Sequence, residues 1–501
     1  MIKLIYRIES DYMSKKRMLI VTSVTLSVVT ISLGIVKLYQ TYALSNYIGT
    51  VTDTGIDVYI NDDSYASIPA NGSSNVYYML TNTNPGTVKY GVAYQTTSGV
   101  TVKVYDTSED PATGTIEEND KKYIKLHLEN KNSTNKTIEL STVLGYENGG
   151  DLVVPSGVTL VTDTYTPPPT AAEYITKLYT TASKTTVTNN SITYNTAPSV
   201  SLMNDRLGGT TTDLDGGNIR YYGASPNNYI YFNCSDYSNQ TSSTCETWRI
   251  IGVFDGKLKL IRGSQIGKYS WDNKNKSTGA ENNSGKNDWT TARLMKLLNP
   301  RDYYKVDSND NNLGQSLYYN SASGKCYSGQ NNATVDCDFT STGIKNEETR
   351  NMIAETTYYL GGWNSYSVYP NEIYEYERGT TVYTGRPPTW PGKIALAYPS
   401  DYGYAADLNQ CKDKTLYYYD NSTCTSNNWM KAILGTSSHG WLLTPYSGHS
   451  YYAWHVRSGG NVYSYLAYVA YGAVPVLSLS SELGIESGGD GSSSNPYKLS
   501  A

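Results

Sequence analysis

Phenylalanine is nearly missing from this 501-residue chain, which holds three, against 50 tyrosines and eight tryptophans. Its aromatic content therefore carries hydroxyls and suits wet surfaces better than dry cores. Charge is sparse too, at 17% of residues with a net −5, which leaves no broad cationic footprint for neutralising phosphates. No nucleic-acid partner is expected. The four histidines (His127, His439, His449, His455) match no HExxH or other zinc spacing, and there is no GxSxG elbow and no GxxxxGKS/T loop. None of the six cysteines has the CxxC spacing of a zinc or redox site. No metal, cofactor or catalytic residue is expected, and the chain is not read as an enzyme. At roughly 150 residues per domain, the length suggests about three units.

What is present begins with Met18–Val36, an uncharged, mostly apolar run about long enough to cross a bilayer core as a helix. Lys3, Arg7, Lys15, Lys16 and Arg17 precede it, against only Glu9 and Asp11, and such an excess of cations stays on the cytoplasmic side. The expectation is a cytoplasmic basic segment over 1–17, a transmembrane signal anchor over 18–38, and a single-pass plasma-membrane protein with an extracellular C-terminal region. A cleaved signal peptide is the competing reading, with Thr41-Tyr42-Ala43 as its cleavage site. Either way the six cysteines are exported, and they fall as three near-neighbour couples: Cys234 with Cys245, Cys326 with Cys337, and Cys411 with Cys424. Closing short loops takes the least chain entropy, so three local disulfides are expected.

Residues 46–165 hold no Cys and no Trp and read as about seven short β-prone runs, among them Ile56–Ile60, Val76–Asn82, Val88–Gln95 and Val100–Tyr105. That pattern predicts an all-β immunoglobulin-like sandwich serving as a spacer. Pro167-Pro168-Pro169 stiffens a linker over 166–170. The region 171–501 mixes elements. Thr170 and Glu173 form a capping-box pattern ahead of an amphipathic helix. Asp255-Gly256 signals a hairpin with Ile251, Val253, Leu258 and Leu260 on one face. Helical patterns cover Asp288–Leu298, Asn346–Leu360 and Ser426–Leu434, and strand-like runs return from Lys393 to Leu479. Strands and helices segregate without βαβ alternation, so the class is α+β.

Several motifs in the second half carry a resemblance: Asn287-Asp288-Trp289 with Arg293, Leu294 and Leu297-Leu298; Gly392–Tyr404; Gly440–Gly448; and Trp454–Leu479, which closes on Gly472–Leu479. They are similar to bacterial domains of the C-type-lectin-like and formylglycine-generating-enzyme-like superfamily, although Leu443 and Val474 stand where relatives carry arginines. The resemblance implies a lectin-like α+β fold. It also implies a likeness to the variable proteins of diversity-generating retroelements, whose C-terminal face is mutated at adenines to create new binders.

The tract Tyr446–Tyr471 fits that reading on its own residues. Tyrosine offers a large amphipathic contact area with few torsions, and Ser, Asn and Gly adapt their hydrogen bonding, as in antibody paratopes. The candidate ligand-binding residues are Tyr446, His449, Tyr451, Tyr452, His455, Asn461, Tyr463, Tyr465, Tyr468 and Tyr471, with Trp441 and Trp454 as buried supports. The expected function is a membrane-anchored extracellular binding protein for an unidentified protein or glycan ligand, a face whose composition also fits retroelement diversification. Two other classes stay open: a structural cell-envelope protein and an enzyme of unrecognised type. Glu372, Glu375 and Glu377 read as solvated loop charges, and Asp307–Asn312 as a surface turn.

Overall fold

The computed structural model describes residues 44–52, 55–59, 65–82, 86–146, 152, 154–209, 212–274, 283–305, 316–320, 324–326 and 335–500. The expected anchor over 18–38 and the Asp307–Asn312 turn lie outside these residues. Among the described residues no helix is long and apolar enough to cross a membrane. The described residues are β-rich, with 38% strand and 16% helix. The fold class is corrected accordingly, and the single-pass plasma-membrane placement is dropped.

The chain divides into two compact units, Met1–Pro168 and Pro169–Ala501. In the first, a six-stranded sheet runs in the order Thr164–Tyr165, Val100–Tyr105, Lys121–Asn130, Gly72–Asn82, Leu44–Thr52 and Gly55–Tyr59. A second sheet orders Val158–Leu160, Val88–Gln95, Lys136–Tyr146 and Tyr65–Ile68, with Thr113–Ile116 also on Val88–Gln95. Period-two alternation sends Val76, Tyr78 and Leu80 inward from one sheet, to share a core with Tyr90, Val92, Ile138 and Leu140 of the other. Tyrosines enter this dry core because their hydroxyls find partners: Tyr90 donates to the Pro111 carbonyl at 2.9 Å, and Tyr78 bonds Thr142 Oγ1 at 2.8 Å. Among the described residues the two sheets hold eleven strands rather than the expected seven, which departs from the immunoglobulin-like layout.

The second unit opens with the helix Ala171–Thr181, capped by reciprocal Thr170 and Glu173 bonds. Its largest sheet has nine strands, centred on the hairpin Glu246–Phe254 and Lys257–Arg262. The hairpin pairs Ile250 with Leu260 and Val253 with Leu258, and a bulge between Ile250 and Gly252 interrupts the register. The inserted residue turns Ile251 to the opposite face, where it packs with Ile261, Trp454 and Val476. Ile250 takes the place expected of Ile251, beside Val253, Leu258 and Leu260.

The helices are shorter than periodicity suggested. Asn346–Leu360 divides into the helix Glu347–Met352 and the strand Thr356–Tyr359, where Thr and Tyr side chains favour the pleated surface. Ser426–Leu434 is replaced by the turns of helix Ser422–Ser426 and Lys431–Leu434. The Glu372–Glu377 stretch is helical, as Pro370–Arg378, with Pro at its first position. Three disulfides join Cys234 to Cys245, Cys326 to Cys337, and Cys411 to Cys424. They fit an extracellular protein.

Candidate functional site

A five-stranded sheet in the second unit runs in the order Gly267–Ser270, Ala470–Ala473, Gly440–Pro445, Tyr452–Val456 and Val462–Leu466. Its last hairpin pairs Tyr452 with Leu466, Ala453 with Tyr465, Trp454 with Ser464, and His455 with Tyr463. The turn closes through Gly460, whose φ of +105° is open to glycine and strained for other residues, with its N–H donating to the Arg457 carbonyl. Trp441 and Trp454 are both fully buried. The Trp441 indole N–H donates to the Tyr269 carbonyl at 2.9 Å, which ties two strands of the sheet together beneath the rings.

Two ring clusters meet at Tyr463 on the edge strand. One holds His455, Tyr465, Tyr471 and His439: the His455 and Tyr471 centroids lie 4.8 Å apart, His439 and Tyr471 4.9 Å, and Tyr465 and Tyr471 6.2 Å. The other begins with Tyr366, stacked 4.2 Å from Tyr463 and 5.5 Å from Tyr446, and continues from Tyr446 to His449, Tyr452 and Tyr451. Tyr417 and the exposed Tyr418 extend it. The exposed Arg457 guanidinium lies 4.6 Å from the Tyr463 ring, a cation over the negative face of the ring.

No family model matches the chain, and no curated protein matches it. Among solved structures it is similar to envelope protein VP37 from White Spot Syndrome Virus, at 12% identity over 21% of this chain and 96% of that one, with a TM-score of 0.12. A likeness of that size carries no argument.

Of the ten residues singled out in the sequence, Tyr465 and His449 are exposed, and Tyr446, Tyr451, Tyr452, Tyr463, Tyr468 and Tyr471 are half-buried. Tyr468 stands apart from the ring clusters, with the Lys274 ammonium 5.0 Å from its centroid. His455 and Asn461 are corrections. At 1% and 7% exposure they lie beneath the face and cannot contact a partner. Asn461 is held in the turn by the Arg457 N–H bond to its carbonyl. Burial, with His439 and Arg457 nearby, holds the His455 imidazole well below its usual pKa, so it is neutral. His439 is also lowered by burial, and its Nδ1 accepts the Ser458 N–H at 2.8 Å, which places the ring proton on Nε2.

Sequence reading missed Tyr366, Tyr417, Tyr418 and His439, which reach the face from outside the tract. A run such as Tyr417-Tyr418-Tyr419 was visible, but nothing local says which ring turns outward. Tyr419 is buried and Tyr418 is 55% exposed.

The carboxylates read as solvated charges also part ways. Glu377 is fully buried and accepts from the Ser400 N–H at 3.0 Å and the Ser400 hydroxyl at 2.5 Å. Nearby, Asp401 binds Lys259 Nζ at 2.5 Å and Arg220 Nη1 at 2.9 Å, and Arg220 Nε binds Asp205 at 2.6 Å. These charges satisfy one another inside the core, the arrangement of a structural network.

Proposed function

We propose that the second unit is an extracellular recognition module that captures a protein or glycan partner through the tyrosine face around Tyr463. The supporting observation is the chain of ring contacts from Tyr418 through Tyr417, Tyr366 and Tyr463 to His455, Tyr465 and Tyr471, which wraps the edge strand Val462–Leu466, with buried Trp454 packed against Tyr366 and Tyr446. Rings held by neighbouring rings lose little further freedom on binding, which is the cost that weakens flexible contact surfaces. The hydroxyls of Tyr418, Tyr463 and Tyr465 and the adjacent Arg457 supply directional contacts at the rim. Retroelement diversification of this tract would be confined to residues such as His449, Tyr451, Tyr463 and Tyr465, because substitution at the buried His455, Ser464 or Trp454 would disturb packing.

The test is capture on arrays of glycans and extracellular proteins by the full chain and by a Tyr451→Ala, Tyr463→Ala, Tyr465→Ala variant. The variant is expected to lose at least about tenfold in affinity, equivalent to roughly 1.4 kcal/mol, with its melting temperature nearly unchanged. Retained capture by the variant, or no capture by the parent chain, overturns the reading.

A further inference from the structure

Elsewhere in the second unit, the strands Tyr229–Phe232, Glu246–Phe254 and Lys257–Arg262 and the short helix Lys431–Leu434 border a cavity of about 450 Å³. Arg249 lines it while only 7% exposed. Its Nε donates to Asn228 Oδ1 and its Nη2 to the Pro226 carbonyl at 3.3 Å. The guanidinium lies 3.7 Å from the Tyr229 ring centroid and 4.8 Å from that of Trp429. All of these partners are neutral. Among the described residues no carboxylate forms an ion pair with Arg249, and its remaining side-chain interaction is with the neutral Tyr229 phenol. A buried cation without an anion is uncommon, because desolvation is offset only when the charge is matched.

The second guanidinium of the lining does not relieve this. Arg262 is already held by Glu246 through Nε to Oε2 at 2.9 Å and Nη2 to Oε1 at 3.2 Å. Two cations and one carboxylate leave the cavity one positive charge in excess, which matches a monoanion better than a phosphate dianion. Around that charge stand the Tyr229 ring, Ile433 and Ala432, an apolar surround for the body of a ligand. Burial lowers the Arg249 pKa to about 10, so it remains a cation at neutral pH.

We infer that this cavity is a second binding site, for a small monocarboxylate with an aromatic or branched apolar body, in which the Arg249 guanidinium pairs with the carboxylate. The site is independent of the tyrosine face. Benzoate is the probe, titrated against the full chain and followed by ligand-observed NMR, with neutral benzamide and inorganic phosphate in parallel. Saturable benzoate binding with a Kd on the order of 1 mM is expected, with benzamide and phosphate each weaker by at least about tenfold. Arg249→Met should weaken benzoate by a similar factor. Ala432→Trp, at an exposed position on the rim, should do the same by filling the entrance, and it decides the matter if the Arg249 variant fails to fold. The Tyr451, Tyr463, Tyr465 triple variant should bind benzoate like the parent, which separates failure here from failure of the tyrosine face. Non-saturable benzoate binding, equal binding of benzamide, a preference for phosphate, or parent-like affinity in Ala432→Trp would each overturn the assignment.

Discussion

Glu377 illustrates how environment alone resets a side chain. Desolvation pushes its pKa up to about 7, against the opposing pull of Arg378 and the Ser400 bonds. A carboxyl whose folded pKa exceeds its unfolded value favours the fold while protonated. Its contribution is complete below the unfolded pKa of about 4.5 and is lost as pH rises towards 7, a swing on the order of 3 kcal/mol. Asp272, raised by burial to about 7, acts in the same window and direction. His455 acts oppositely, since an imidazole buried neutral costs stability as pH falls below about 6.5, where the unfolded ring would take up a proton. Denaturant melts at pH 5 and pH 8 should therefore show Glu377→Gln losing less stability over that interval than the parent chain. An identical pH slope in the two proteins would mean that Glu377 does not titrate as described.

At the scale of elements, legibility followed how local the deciding interactions were. The strands Val88–Gln95 and Val100–Tyr105 were read with the bounds the structure gives them, because alternation and flanking turns specify them within the segment. The bulge at Ile251 was not legible, since a one-residue insertion leaves the apolar run unchanged while reversing its faces. Asn346–Leu360 failed as one helix because Thr356–Tyr359 pairs with Thr389–Gly392, a partner thirty or more residues away in the chain. The tyrosine tract was visible as composition, but the sorting of its rings between face and interior depends on packing from Tyr366, Tyr417 and His439. The Cys411–Cys424 disulfide bears on that sorting. It brackets the 3₁₀ turn Leu416–Tyr418 and lies buried with Tyr402, Tyr419 and Trp429 in one core cluster. A Cys411→Ala, Cys424→Ala variant should lose about 2–4 kcal/mol of stability. It should also bind partner more weakly, because Tyr417 then loses its fixed place beside Tyr366 and Tyr463. Unaltered capture with reduced stability would remove Tyr417 from the face while leaving the fold account intact.

At the scale of the whole molecule, each unit has its own apolar core. The first is built from the alternating strands of two sheets, and the second from clusters around Trp248, Trp271 and Trp289 and around Trp454 and Met430. The division falls at Pro168–Pro169, within a run of three prolines that can donate no backbone N–H bonds and therefore cannot be absorbed into a sheet ladder. Separate cores joined by such a segment should unfold separately and open to proteases between them. Limited proteolysis of the intact chain with a broad-specificity protease is expected to cut first within 166–170 and to leave a fragment beginning near Thr170 that resists further digestion. Thr170 bonds into that fragment through its own capping box and a bridge to Gly484, so trimming should stop there. Calorimetry should then show two transitions in the intact chain and one of them retained by the resistant fragment. A single cooperative transition in the full chain, or first cleavage inside 171–501, would show that the units depend on one another for stability, and the tyrosine face would then have to be studied only in the intact protein.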